Sequence, residues 1–249
     1  MRRLLPPLIP LFSIAALTEL AVRQGWIAAY LVPTPTAILT AILESRAELA
    51  PAFLKTSAAA LAGFTLSTVG GIAIAVLLSS SRAIQRSFYP YAVFFQTVPI
   101  IAIAPLLVIW FGYGMKTVIA SAFFVSIFPV IANTLTGILS TDPALRDLFR
   151  LYGASSAVTL FKLRFPAALP QILTGLRVAS GLAVIGAIVG EFIGGEGLGS
   201  VVDVARTQQR VDKVFAAVLL ASLLGLALFG LINLISAVTL RRWHASEQG

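Results

Sequence analysis

Residues 117–141 read TVIASAFFVSIFPVIANTLTGILST and carry no charged side chain. A helix needs about 20 residues to cross roughly 30 Å of hydrocarbon, so this stretch is long enough to span a bilayer. Working outward, runs 56–81, 87–115 and 214–240 are also free of charge and equally long. Two further runs are apolar but interrupted. Residues 4–22 carry Pro6, Pro7, Pro10 and Glu19, and residues 167–190 carry Pro170 and Arg177. Together they predict an all-α, polytopic transmembrane bundle of about six spans. Composition agrees: 58% of the 249 residues are apolar, 11% are charged, and the mean hydropathy is +0.95, a balance no soluble domain of this length would carry on its surface. Membrane lipid is therefore a partner of this chain.

The basic residues set an orientation. With the amino terminus in the cytoplasm, six spans place Arg2, Arg3, Arg82, Arg86, Arg146, Arg150, Lys162, Arg164, Arg177, Arg241 and Arg242 inside. They leave Arg23, Arg46, Lys55, Lys116, Arg206, Arg210 and Lys213 outside. The excess lies inside, as positively charged loops prefer, and both termini of this multi-pass membrane protein are then cytoplasmic. The formal net charge of +8 is spread over short loops and forms no single patch, so nucleic acid is not a predicted partner. Met1-Arg2-Arg3 before an apolar run is also how a signal peptide begins. No small-x-small cleavage site follows at a suitable distance, and the first span is read as retained.

Several chemistries are excluded by residue type. The chain has no cysteine, hence no disulfide, thiol nucleophile or sulfur ligand set. Its one histidine, His244, lies on the polar tail, and no H-E-x-x-H arrangement or G-x-x-x-x-G-K-[ST] loop occurs. Catalytic residues, a bound metal and a nucleotide held by this chain are therefore not expected. An ATP-independent secondary transporter would need coupling acids within the bilayer, and these are scarce.

Between the long runs the chain carries local signals. Pro33 and Pro35 break the helix after the first span. Thr36 is read as the cap of a short helix through Glu48, lying at the outer surface. Gly186 and Gly190 form a small-xxx-small pair that lets helices approach closely in lipid. Residues 141–170 form the longest polar segment. Asp142 can cap a helix with Pro143 in its first turn, and residues 144–152 continue it. Gly153 supplies a turn, and residues 155–163 form a second helix before Pro166 and Pro170. Those prolines are expected to fix the angle at which the chain re-enters the bilayer.

The spacing of that hairpin resembles the cytoplasmic motif of the membrane subunits of ATP-binding cassette importers, written E-A-A, three residues, G, nine residues, I-x-L-P. Asp147, Leu148 and Phe149 fall on E-A-A, Gly153 on the glycine, and Leu163, Arg164, Phe165 and Pro166 on I-x-L-P, without a gap. The letters differ, but the acid, the glycine and the terminal proline are kept. Similarity extends through Val98-Pro99, Ala104-Pro105, Trp110-Phe111-Gly112, Gly175-Leu176-Arg177 and Gly197-Leu198-Gly199. It points to the branch that imports nitrate, taurine and other sulfonates, and pyrimidine precursors of thiamine. The resemblance implies a type I importer permease fold, with residues 1–35 as first span and periplasmic connector and 36–249 as the core, the coupling loop being 141–170. It also implies a permease homodimer, a cytoplasmic ATP-binding subunit that uses the ATP, and a periplasmic solute-binding protein.

Candidates for the translocation path are Gln96, Thr97 and Glu191, with Glu19 and Arg177 as further intramembrane ionisable residues. Arg177 is placed near the cytoplasmic end of its span, from which it could snorkel. Many anion-importing members of the branch carry an arginine where Gln96 stands. An amide offers neutral hydrogen bonds, which favours a thiamine pyrimidine precursor or related heterocycle over nitrate, taurine or another sulfonate.

Overall fold

The computed structural model describes residues 5–241, and every regular element among them is helical. In chain order these are α1 (Leu5–Arg23), α2 (Pro35–Glu44), α3 (Arg46–Ser79), α4 (Arg82–Thr97), α5 (Ile100–Phe111), α6 (Met115–Leu139), α7 (Pro143–Leu151) and α8 (Ser156–Thr159). A π-helical turn (Leu160–Arg164) follows, then α9 (Phe165–Gly194), α10 (Leu198–Thr207) and α11 (Val211–Arg241). Arg2, Arg3, Arg242 and His244 lie outside the described residues, as do the two termini whose side was inferred from charge.

Four helical bodies are long and apolar enough to cross a membrane: α3, α6, the stretch Ser156–Gly194 and α11. The run 87–115, expected as one span, is instead α4 and α5 joined at a bend of 100°. Pro99 has no N–H to continue the ladder and forces Val98 into an extended conformation, φ −73° and ψ 120°. Four long helices and a broken fifth thus account for five of the expected spans. The first run forms α1, 19 residues with Pro10 inside.

α6 occupies the centre, and small residues let its neighbours close on it. α9 runs antiparallel to α6: a β-carbon on Gly186 would stand 2.8 Å from Ala122 Cα, and one on Gly175 would stand 2.8 Å from Pro129 O. Ser121 Oγ donates to Gly186 O at 2.7 Å. On the other side α3 runs parallel to α6, Gly71 against Val130 and Ser126 Oγ donating to Ser67 Oγ at 2.9 Å. In lipid, where apolar side chains gain little by pairing, such close backbone approach is what holds helices together.

This register defines two ends. At the loop end, Leu78 of α3 and Leu135 of α6 pack with Ile84 and Tyr89 of α4. At the distal end, Ala41, Leu49, Ala52, Leu198, Val201, Ala216 and Ala217 unite α2, α10 and the first turns of α3 and α11. Lys213 pairs there with Glu48, and Lys55 with Glu196; Lys55 holds the Glu196 carboxyl below its ordinary range. α5 also finishes at this end, since Gly114 N–H donates to Gly194 O at 2.5 Å. The bent pair therefore starts at one end and finishes at the other.

The outer-surface helix differs from its expected bounds. Thr34, not Thr36, caps it by accepting from Ala37 N–H. It stops at Glu44, and residues 46–48 begin α3. Glu19 accepts from the N–H and the hydroxyl of Thr36, at 3.1 and 2.7 Å, and from Arg23 Nε at 2.8 Å. This acid in the first apolar run thereby ties α1 to α2.

Candidate functional site: an exposed hairpin and a path through the bundle

The hairpin is built by local chemistry. Asp142 Oδ1 accepts from Ala144 N–H at 2.8 Å, with Pro143 at the first helical position. Leu145, Leu148, Phe149 and Tyr152 follow at the spacing of one helix face, while Arg146, Asp147 and Arg150 occupy the remainder. Asp147 is exposed and Phe149 half-buried. Leu148 is 45% exposed, Leu151 85% and Tyr152 84%, so the segment offers apolar surface outside the apolar spans. Gly153 ends α7 at φ +71°, with Ala154 N–H donating to Phe149 O at 2.9 Å. Ser155 Oγ then accepts from Val158 N–H at 3.3 Å to start α8.

The second arm is not a separate helix ended by prolines. α8, the π turn and α9 form one helical body from Ser156 to Gly194. Pro166 sits in the first turn of α9, and in a regular α-helix its ring would press on the carbonyl four residues back. The ladder widens just before it, Phe165 N–H donating to Leu160 O, a π-type bond that relieves this crowding. Leu163, Arg164, Phe165 and Pro166 are half-buried at this turn. Arg164 Nε donates to Ile138 O at 3.2 Å, satisfying a carbonyl in the last turn of α6. The hairpin is thus continuous with α9 and, through Arg164, bonded to α6.

The path candidates are not brought together by a hydrogen bond. Gln96 and Thr97 end α4, immediately before the bend, with exposed side chains; Thr97 Oγ1 donates to Phe94 O at 2.7 Å. Phe94 and Phe95 beside them are 62% and 68% exposed. Glu191 lies at the other extremity of α9 and is only 2% exposed. Its Oε2 accepts from Gly199 N–H at 2.7 Å. A β-carbon at Gly197 or Gly199 would run into its side chain. Leu198 N–H donates to Thr56 Oγ1 at 2.9 Å beside it. The carboxyl thus stands at the amino-terminal end of α10, where helix dipoles favour an acid.

Arg177 is not near the loop end. It lies twelve residues into α9, about 18 Å along the axis at 1.5 Å per residue, and its side chain is half-buried. Two features escaped the sequence reading altogether: α10, whose ten residues mix Asp203 and Arg206 into an apolar run, and the π turn. Pro166, two residues after Arg164, was the available signal for the latter. No group of three or more metal-ligating side chains occurs among the described residues.

Comparison with known proteins agrees with this architecture. The family model described as binding-protein-dependent transport system inner membrane component matches residues 67–240. The formylaminopyrimidine transport permease of Halalkalibacterium halodurans is 37% identical over 213 residues, 85% of each chain. The riboflavin transport system permease of Chloroflexus aurantiacus is 32% identical, over 78% of this chain and 72% of that one. Among solved structures, the inward-facing MetNI methionine ABC transporter superposes with a TM-score of 0.69 at 17% identity, covering 79% of this chain and 98% of that one. The structural likeness speaks to the fold: a type I importer permease.

Proposed function

Because the chain belongs to the binding-protein-dependent transport system inner membrane components, a family of importer permease subunits, we propose that the α7–Gly153–α8 hairpin is the seat of a partner ATP-binding subunit. In this reading the hairpin faces the cytoplasm and the α10 end receives a solute-binding protein. ATP is bound and hydrolysed by the partner, with no cofactor on this chain, and a second copy of the permease completes the path.

The observation that carries the reading is exposed apolar surface on a hairpin continuous with a membrane helix. Leu148, Leu151 and Tyr152 project from the bundle, and the helical body from Ser156 to Gly194 crosses it without a break. Apolar side chains at a patch centre, rimmed by Arg146, Asp147 and Arg150, are what a protein partner buries. Closure of the ATPase pair would then act as a lever. The second arm passes motion to α9, and Arg164 passes it to α6.

The favoured solute is a thiamine pyrimidine precursor or related heterocycle. Its support is the 37% identical relative named for formylaminopyrimidine transport, together with Gln96, whose amide supplies neutral donors and acceptors beside exposed aromatic rings. Import of nitrate, taurine or another sulfonate is the alternative, which the missing charge at position 96 disfavours.

Tyr152→Cys, in a chain with no other cysteine, provides the test. A thiol-directed photocrosslinker there should capture an ATPase subunit from native membranes, and mass spectrometry would identify it. Reconstituted with that subunit and its binding protein, the chain should import the pyrimidine only with ATP. Uptake without any ATPase would overturn the reading.

A further inference from the structure

We propose that Arg177 is the solute-contacting cation of the path, placed at mid-membrane to receive a planar acceptor group: a ring carbonyl, a carboxylate or a sulfonate. This rests on the permease reading above and deepens it.

The depth is given by the neighbouring helix. Gly175 packs against Pro129 and Asn133, and Gly186 against Ser121 and Ala122, so in this antiparallel register Arg177 stands level with the residues about Pro129. Ten residues of α6 separate Pro129 from Leu139, and fourteen separate it from Met115. At 1.5 Å per residue these are about 15 Å and 21 Å. That puts the guanidinium near the middle of a hydrocarbon layer of roughly 30 Å, deeper than one side chain can climb toward either surface.

Nothing among the described residues satisfies it there. None of the ion pairs among the described residues includes Arg177, and its Nε is buried without a hydrogen-bond partner. The other ionisable residue of α9, Glu191, is fourteen positions away, about 21 Å along the axis. A guanidinium keeps its charge and offers five donors in a planar fork. Leaving such a group unpaired in lipid is costly, so its partner is water or an acceptor that arrives.

The surrounding face suits arrival. Thr174, Val178 and Ile185 form an exposed stripe along α9, spaced four and seven residues apart, and a β-carbon at Gly181 would meet nothing within 4 Å. Arg177 flanks this stripe, while Ala179 and Ser180 turn to the packed side. A stripe bordered by an uncompensated cation is not a lipid face. It lines an aqueous passage, and the planar fork selects solutes with in-plane oxygen or nitrogen acceptors.

Two measurements test this in the complete transporter. With no native cysteine in this chain, Arg177→Cys is the permease's sole thiol. It should react with a charged, water-soluble methanethiosulfonate, whereas Leu226→Cys on exposed α11 surface should react only with a lipid-soluble maleimide. Solutes that the wild-type transporter imports, drawn from formylaminopyrimidine, riboflavin and an alkanesulfonate, should slow the Arg177→Cys reaction. In the second measurement, Arg177→Gln should lower uptake of the imported solute roughly tenfold or more, as loss of a charge-assisted hydrogen bond does. Arg177→Lys should fall less. Copurification of the ATPase and its basal hydrolysis should match wild type, and these report on the permease reading independently of Arg177. Wild-type uptake by Arg177→Gln, or a thiol at 177 that no water-soluble reagent reaches in any nucleotide state, would overturn the proposal.

Discussion

Gly153 turns the hairpin at φ +71°, and a β-carbon there would touch nothing within 4 Å. Its requirement is therefore conformational and not steric. Asparagine tolerates the left-handed region, while a β-branched side chain pays about 1–2 kcal/mol to enter it. Gly153→Asn should keep near wild-type uptake. Gly153→Val should fray the end of α7 and lower the ratio of solute imported to ATP hydrolysed, with membrane insertion unchanged; equal ratios in the two variants would dissociate the turn from coupling. A second residue-scale asymmetry lies at the distal end. The Lys213 side chain is 10% exposed and that of its partner Glu48 is 49% exposed. Removing the acid strands a buried ammonium, which costs about 1–3 kcal/mol, whereas removing the lysine leaves a carboxylate that water can reach. Glu48→Ala should therefore lower the melting temperature in detergent more than Lys213→Met does.

At the scale of elements, the close approach of α6 and α9 makes a sharper demand than hydrophobicity. A β-carbon on Gly186 would press on backbone atoms of Ser121 and Ala122, which cannot rotate aside. Gly186→Ala should destabilise by about 1–3 kcal/mol, the usual cost of overpacking. Gly225→Ala in α11, with open space around it, should be neutral or slightly stabilising. Thermal unfolding of the two purified variants compares them directly. The same contrast shows what was legible beforehand. α3, α6, α9 and α11 were readable because hydropathy sums over a whole span. The hairpin was readable because caps and turns are local. The bend at Pro99 was not, since a proline within an apolar run is often accommodated by neighbouring helices. The extra turns of α3 were hidden by Arg46, Glu48 and Lys55, two of which find partners only across the fold. Arg177 was recognised as unusual by its chemistry, but its depth depends on the register of α6 against α9, which no local pattern contains.

For the whole molecule, the two ends and the helix directions fix which segments share a side of the membrane. α3 and α6 run the same way, so the chain must cross back between them, and α4 with α5 does so despite the 100° bend. Were that pair a re-entrant loop, Arg82 and Tyr113 would emerge together. The contacts of Ile84 and Tyr89 at the loop end, and of Gly114 and Tyr113 with Gly194 at the distal end, place them apart. Single cysteines resolve this without background, because the chain has none of its own. In intact spheroplasts an impermeant thiol reagent should label Tyr113→Cys and Gln208→Cys, while Arg82→Cys and Tyr152→Cys should label only after lysis. The charge bias favours the cytoplasm for the second pair, which is the side the proposed ATPase contact at the hairpin requires. Labelling of Arg82→Cys and Tyr113→Cys from one side would remove a crossing and reverse every later segment, carrying α7 away from the compartment that holds ATP. The crossing made by α4 and α5 is thus the step on which the proposed coupling depends, since it returns the chain so that α6 delivers the hairpin to the side opposite α10.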